Sequence, residues 1–135
     1  MKQAIVCVDD ESIILDSLGE QIENLFGNRF MYEYAENAEE GMEVLEELTD
    51  EGIDVMVIVS DWLMPGKKGD EFLIEVHKKF PNIVKVLLTG QADESAIHNA
   101  QKNADLFAYI QKPWTAEQLE TVIKSGISTI DKEGK

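Results

Sequence analysis

The chain has 135 residues, 44% of them hydrophobic, which suits one domain with one core and is too apolar for a disordered chain. Its 12 Lys and Arg stand against 27 Asp and Glu, a formal net charge of -15, and so acidic a surface excludes direct nucleic-acid binding and an anionic membrane as expected partners. The single cysteine, Cys7, sits in an apolar run and cannot form an internal disulfide. With no apolar run of bilayer length and no secretory leader expected, the reading is cytoplasmic.

Two sequence periods alternate along the chain. "AIVCV" (4–8) is β-rich and is followed at once by Asp9 and Asp10. From about Ser12, Ile14, Leu18, Ile22 and Leu25 keep helical spacing. "FMYEYA" (30–35) predicts a second strand, and Asn37 with Glu40 forms a loose capping box that opens a second helix. "VMVIVS" (55–60) predicts a third strand, which runs straight into Asp61, then Trp62, Leu63, Met64 and the turn pair Pro65-Gly66. A carboxylate at the mouth of so apolar a strand is costly to desolvate unless something binds it.

Phe72, Leu73, Val76 and Phe80 mark a third helix, "KVLLT" (85–89) a fourth strand, and 95–104 a fourth helix. "FAYI" (107–110) predicts the fifth strand, with Lys112 just beyond it. Thr115 and Gln118 form a full capping box before a last apolar stripe of Leu119, Val122, Ile123, Ile127 and Ile130. The pattern is lost after Ile130, so 1–130 reads as one domain and 131–135 as a tail or the start of a linker.

Five strands alternating with five helices imply a parallel sheet covered on both faces. In such sheets ligands bind beyond the carboxyl ends of the strands. Asp9, Asp10, Asp61, Thr89 and Lys112 all fall at that edge. Three carboxylates close together call for a cation, and hard oxygen donors with room for water favour Mg²⁺. A lysine and a hydroxyl beside the metal imply that an anion also arrives. Together they describe a phosphoryl-transfer site.

The motifs "VDDE" (8–11), "SDWLMPGKKGDEF" (60–72), "LLTG" (87–90) and "YIQKPW" (109–114), each at a strand end and in this order, resemble the receiver domain of two-component response regulators. The likeness covers about 5–130. It implies a flavodoxin-like, doubly wound fold with five strands in the order 2-1-3-4-5. It makes Asp61 the acceptor of a phosphoryl group from a sensor histidine kinase or a phosphotransfer domain. It makes Asp9, Asp10, Asp61 and the carbonyl of Leu63 the Mg²⁺ ligands, with Asp10 the direct one of the acidic pair. Thr89 and Lys112 would contact the phosphoryl oxygens, and Thr89 and Tyr109 would form the switch. The surface of the fourth helix, fifth strand and fifth helix would meet an effector or a second copy. Leu63 and Gln91 would flank the water that hydrolyses the phosphorylated form, and the bond before Pro113 is often cis in the family.

Each residue alone has a plainer reading. Asp61 could be a turn residue, Asp9 and Asp10 a helix cap, Lys112 a solvated lysine and Tyr109 a packed aromatic. His77 and His98 read as helix-surface residues, Lys67-Lys68 as a solvated loop, and Trp62 and Trp114 as loop packing. Rival functions are a receiver-like scaffold that is never phosphorylated, an aspartate-nucleophile phosphatase and an FMN carrier. The phosphatase would need a second aspartate two residues after the nucleophile, where Leu63 stands. The carrier would need a glycine- and hydroxyl-rich loop where "DDESI" stands.

Overall fold

In the computed structural model the described residues are 2–90 and 94–133, with side chains described to 130. The strands are β1 (Gln3–Val8), β2 (Met31–Ala35), β3 (Asp54–Asp61), β4 (Val84–Thr89) and β5 (Ala108–Gln111). The helices are α1 (Ser12–Phe26), α2 (Ala38–Asp50), α3 (Gly69–Lys79), α4 (Glu94–Asn103) and α5 (Ala116–Glu133), with a 3₁₀ turn at Gly27–Arg29. All pairings are parallel, in the order β2-β1-β3-β4-β5. This is the covered parallel sheet expected from the alternation, in the flavodoxin-like doubly wound order that the resemblance implies.

Strand position explains strand composition. β1, β3 and β4 are interior strands, and β4 is buried at every position because helices cover both its faces. β2 and β5 lie at the edges and are mostly half-buried or exposed. Alternate residues feed two cores. Val6, Val8, Ile58, Leu87 and Phe72 join the cluster that includes residues of α2, α3 and α4, while Ile5, Cys7, Val59, Leu88 and Ile123 join that of α1 and α5. Each such aliphatic side chain contributes about 1.5–3 kcal/mol of burial. Cys7 is the small buried hydrophobe expected, its thiol pushed up by burial first and then by the charges of Glu23 and Asp9.

Local signals resolve in detail. The Thr115 box forms in both directions: Gln118 N–H donates to Thr115 Oγ1 at 3.1 Å, and Thr115 N–H to Gln118 Oε1 at 2.9 Å. At α2, Asn37 accepts from Glu40 N–H at 2.8 Å, but Glu40 accepts the N–H of Glu36, not of Asn37. Asn37 is nearly fully extended (φ -158°, ψ 174°), and the donor turned to Glu40 is that of the residue before it. Helix α4 starts and ends one residue earlier than its pattern suggests. Helix α5 continues to Glu133, past the end of the apolar pattern, and the last two residues of the expected tail lie outside the described residues.

Lys85 is a charged residue buried away from the carboxyl edge. It opens "KVLLT", yet it is 1% exposed. Its ammonium donates to Ile83 O at 2.6 Å and Pro81 O at 3.4 Å. Burial lowers its pKa, and the charge of Asp105 offsets part of that.

Candidate functional site

The order of strands reverses between β1 and β3, and the crevice beyond their carboxyl ends is where open parallel sheets bind ligands. Asp9 enters it from β1. Its N–H donates to Ala35 O of β2 at 3.1 Å, and its Oδ1 accepts the N–H of Glu11 at 2.9 Å. That turn, rather than an N-cap, is what Asp9 builds: the cap position of α1 is Glu11, which makes no side-chain cap hydrogen bond. Asp9 is fully buried and Asp10 is exposed.

Asp61 is the last residue of β3 and is 3% exposed. The chain beyond it is closely held. Trp62 N–H donates to Leu88 O of β4, and Gly69 N–H donates to Trp62 O, both at 2.8 Å. A Cβ on Gly69 would lie 2.1 Å from Asp61 O, so only glycine lets α3 begin there. Gly66 has φ +80°, the left-handed conformation the Pro65-Gly66 turn needs. Trp62 Nε1 donates to Asp70 Oδ1 at 3.1 Å.

Lys112 arrives from β5, its N–H donating to Thr89 O at 2.7 Å, and the Lys112-Pro113 bond is cis. Its ammonium lies 2.9 Å from Asp61 Oδ1, 3.2 Å from Asp9 Oδ2 and 4.0 Å from Glu11 Oε1. Carboxylate oxygens of Asp9, Asp10 and Asp61 lie within 4.8 Å of one another. At that separation two buried carboxylates repel by about 3 kcal/mol, taking an effective dielectric constant of about 20. Burial pushes the Asp61 carboxyl up to about 6; the hydrogen bond from Lys112 pulls it down by less, and Asp9 and Asp10 add to the rise. For Lys112, burial works to lower the ammonium's pKa. The hydrogen bond and charge of Asp61, with those of Asp9, outweigh burial and hold it above its ordinary value.

Three carboxylates and one ammonium leave two negative charges to balance, the charge of one Mg²⁺. Asp10 is exposed, so water can complete the ion's oxygen shell. Thr89 Oγ1 is buried and has no hydrogen-bond partner among the described residues, a donor with nothing yet to bond. The donor set therefore fits a divalent cation beside an oxyanion. Leu63 is 61% exposed and lines an open cleft of about 810 Å³ with Asp10, Asp61, Gly90 and Lys112. Tyr109 pairs with Leu87 two residues before Thr89 and is 46% exposed. Gln91 lies outside the described residues.

A model of the response regulator receiver domain matches residues 5–124, and the chain belongs to that family. It is a receiver domain of two-component systems, a class of phosphorylation-based signalling switches. The chain is 30% identical over 134 residues to the hydrogenase transcriptional regulatory protein HoxA of Cupriavidus necator, covering 98% of this chain and 26% of that one. It is also 30% identical over 129 residues to chemotaxis protein CheY1 of Helicobacter pylori, covering 94% of this chain and 98% of the relative. The crystal structure of a CheY-like receiver domain protein from Methanospirillum hungatei JF-1 superimposes with a TM-score of 0.85 at 29% identity, covering 98% and 99% of the two chains.

Three residues at or beside the site escape sequence reading. Glu11 approaches Lys112 from the first turn of chain after β1. Asp70 lies in the first turn of α3 and Gln21 on α1, and no sequence pattern gives either a role. Yet Asp70 holds Trp62, and Gln21 Oε1 accepts the Trp114 indole N–H at 2.6 Å. No local pattern marks a partner on another element.

Proposed function

We propose that the chain is a phosphorylation-dependent switch in which Asp61 accepts a phosphoryl group from the phosphohistidine of a sensor kinase or phosphotransfer domain. The observation that carries this reading is Asp61 itself, buried, in contact with Lys112 and grouped with Asp9 and Asp10, at the same strand edge as a buried Thr89 hydroxyl that has no partner among the described residues. An Asp61 carboxylate oxygen attacks phosphorus in line, the P–N bond breaks, and its electron pair leaves with the imidazole, which takes a proton. Lys112 turns from Asp61 to a phosphoryl oxygen and balances its charge, and Thr89 donates its hydroxyl to another. Asp9, Asp10, Asp61 and the Leu63 carbonyl would hold Mg²⁺, which would supply the charge neutralisation that lets an anion approach three carboxylates. The Asp61 pKa supports the assignment, since burial keeps the carboxylate poorly solvated and reactive.

The same reading makes Thr89 and Tyr109 the switch and α4, β5 and α5 the output face, where Phe107 and Tyr109 are exposed. Phosphorylation would shift an existing equilibrium in that face toward a form that binds an effector or a second copy. The chain would act in the cytoplasm, hydrolysing only its own phosphoryl group; no described helix is long and apolar enough to cross a membrane. Acetyl phosphate with Mg²⁺ should add one phosphoryl group to the wild type and none to Asp61→Asn, read by intact mass. Equal labelling of the two proteins would sink the assignment.

A further inference from the structure

Asp70 is the second residue of α3, is 7% exposed, and pairs with no cationic side chain among the described residues. Its Oδ1 accepts the Trp62 indole N–H at 3.1 Å. Its Oδ2 accepts Asn99 Nδ2 of α4 at 2.8 Å, and Asn99 Oδ1 accepts Asn103 Nδ2 at 2.8 Å one turn further on. Two neutral donors and the positive end of α3 are what make this burial tolerable. An apolar residue could fill the same contact without any desolvation cost. What only an acceptor with two oxygens can do is fix the directions of two donors that belong to different elements.

Those donors are significant because of where they sit. Trp62 lies between Asp61 and Leu63, and its own N–H and C=O are already bonded to β4 and to Gly69. Fixing the indole completes the constraint on the backbone that presents the Asp61 carboxylate and the Leu63 carbonyl. Asn99 sits on α4 beside its buried residues Ile97 and Ala100. A displacement of α4 against α3 must therefore break the Asp70–Asn99 bond or drag on Trp62.

We propose that Asp70 is a positioning residue, holding the Asp61–Leu63 backbone through Trp62 and tying it through Asn99 to α4, by a route separate from Thr89 and Tyr109. This rests on the reading of Asp61 as acceptor and of the Leu63 carbonyl as a metal ligand. Because coupling is reciprocal, loosening the tie weakens Mg²⁺ binding, and Mg²⁺ or phosphoryl binding stiffens α4.

The test uses a Trp114→Phe background, in which Trp62 is the single tryptophan, with Asp70→Ala, Asn99→Asp and the double variant Asp70→Asn/Asn99→Asp. Asn99→Asp sets two carboxylates face to face; the double variant restores a donor–acceptor pair of reversed polarity and keeps an amide oxygen for the indole. Mg²⁺ titrations followed by Trp62 fluorescence should give dissociation constants raised about fivefold in each single variant and restored to within about twofold in the double. The change in α4 amide exchange on adding Mg²⁺ and beryllofluoride should be lost in the single variants and return in the double. If Asp70→Ala does not fold, Asn99→Asp and its rescue carry the same comparison. Single variants that lose stability but keep wild-type metal affinity and α4 response, while the parent is labelled by acetyl phosphate, overturn the tie and leave the acceptor reading standing. A parent that takes neither Mg²⁺ nor phosphoryl overturns both.

Discussion

Trp62 and Trp114 each stand within two residues of a charged site side chain at the carboxyl edge, Asp61 in one loop and Lys112 in the other. Each donates its indole N–H to a residue on a helix, but the partners differ in kind. Trp62 bonds a buried carboxylate that a second helix also grips, its main chain is bonded on both sides, and Lys68 lies 5.0 Å over its ring. Trp114 donates to a neutral partner among the described residues, Gln21 of α1. The contrast matches the work each loop is proposed to do. A nucleophile and a metal-binding carbonyl must hold still, whereas Lys112 has to swing from carboxylates to a phosphoryl oxygen.

The largest break in that comparison should come from Gly69→Ala. Its Cβ meets backbone, which cannot rotate away, so the start of α3 must move off Asp61. A loss of about 3 kcal/mol, or roughly 10 °C in melting temperature, is expected by calorimetry, together with loss of labelling at Asp61. A variant that melts and labels as wild type would show that this loop is not rigid.

The two anchors can then be set against each other. Trp62→Phe leaves a buried carboxylate one donor short and should cost about 2 kcal/mol, while Trp114→Phe loses a neutral bond and should cost about 1 kcal/mol. Urea unfolding followed by circular dichroism gives both numbers. Equal costs would remove the distinction between the loops.

A pH experiment asks how far the Lys112 loop compensates the Asp61 loop. Asp61 holds its proton more tightly in the fold, near pH 6, than at its ordinary 3.8. The stability this brings is full below about pH 3.8 and is lost as pH rises through about 6. Without Mg²⁺, Asp61→Asn should therefore exceed wild type by about 1–2 kcal/mol at roughly pH 7.5, and the advantage should vanish near pH 4. No advantage at the higher pH would mean that Lys112 fully offsets the burial of Asp61.

The smallest effect concerns water. Leu63 lines the cleft over Asp61 and offers no hydrogen bond. Leu63→Asn should speed loss of the phosphoryl group several-fold, about 1.4 kcal/mol in barrier for a tenfold change. Decay after removal of the donor, with Mg²⁺ present, measures it; unchanged decay would show that the exposed leucine does not limit water entry.

Much of this was legible in the residues. The five strands and the first, third and fifth helices follow from their residue patterns, since a covered interior strand must be apolar and an amphipathic helix must repeat near 3.6 residues, while the second helix was marked by its capping residues. Asp9, Asp10, Asp61, Thr89 and Lys112 could be placed at one edge because parallel strands end on the same side. The ties of Asp70 and Gln21 could not, because Trp62 to Asp70 spans eight residues, Asp70 to Asn99 29, and Trp114 to Gln21 93.

Lys85 and Asp70 show what tertiary structure alone decides. By itself the sequence determines the order of elements and the chemistry collected at the carboxyl edge, since both follow from local period and chain direction. It shows Lys85 as a polar start to a strand and marks no role for Asp70. Packing buries the first at the amino edge and meets its ammonium with the carbonyls of Ile83 and Pro81. Packing also turns the second into a link between the acceptor loop and α4. Whether a polar group ends in water or in the interior depends on which distant groups arrive to bond it, and only the assembled fold brings them together.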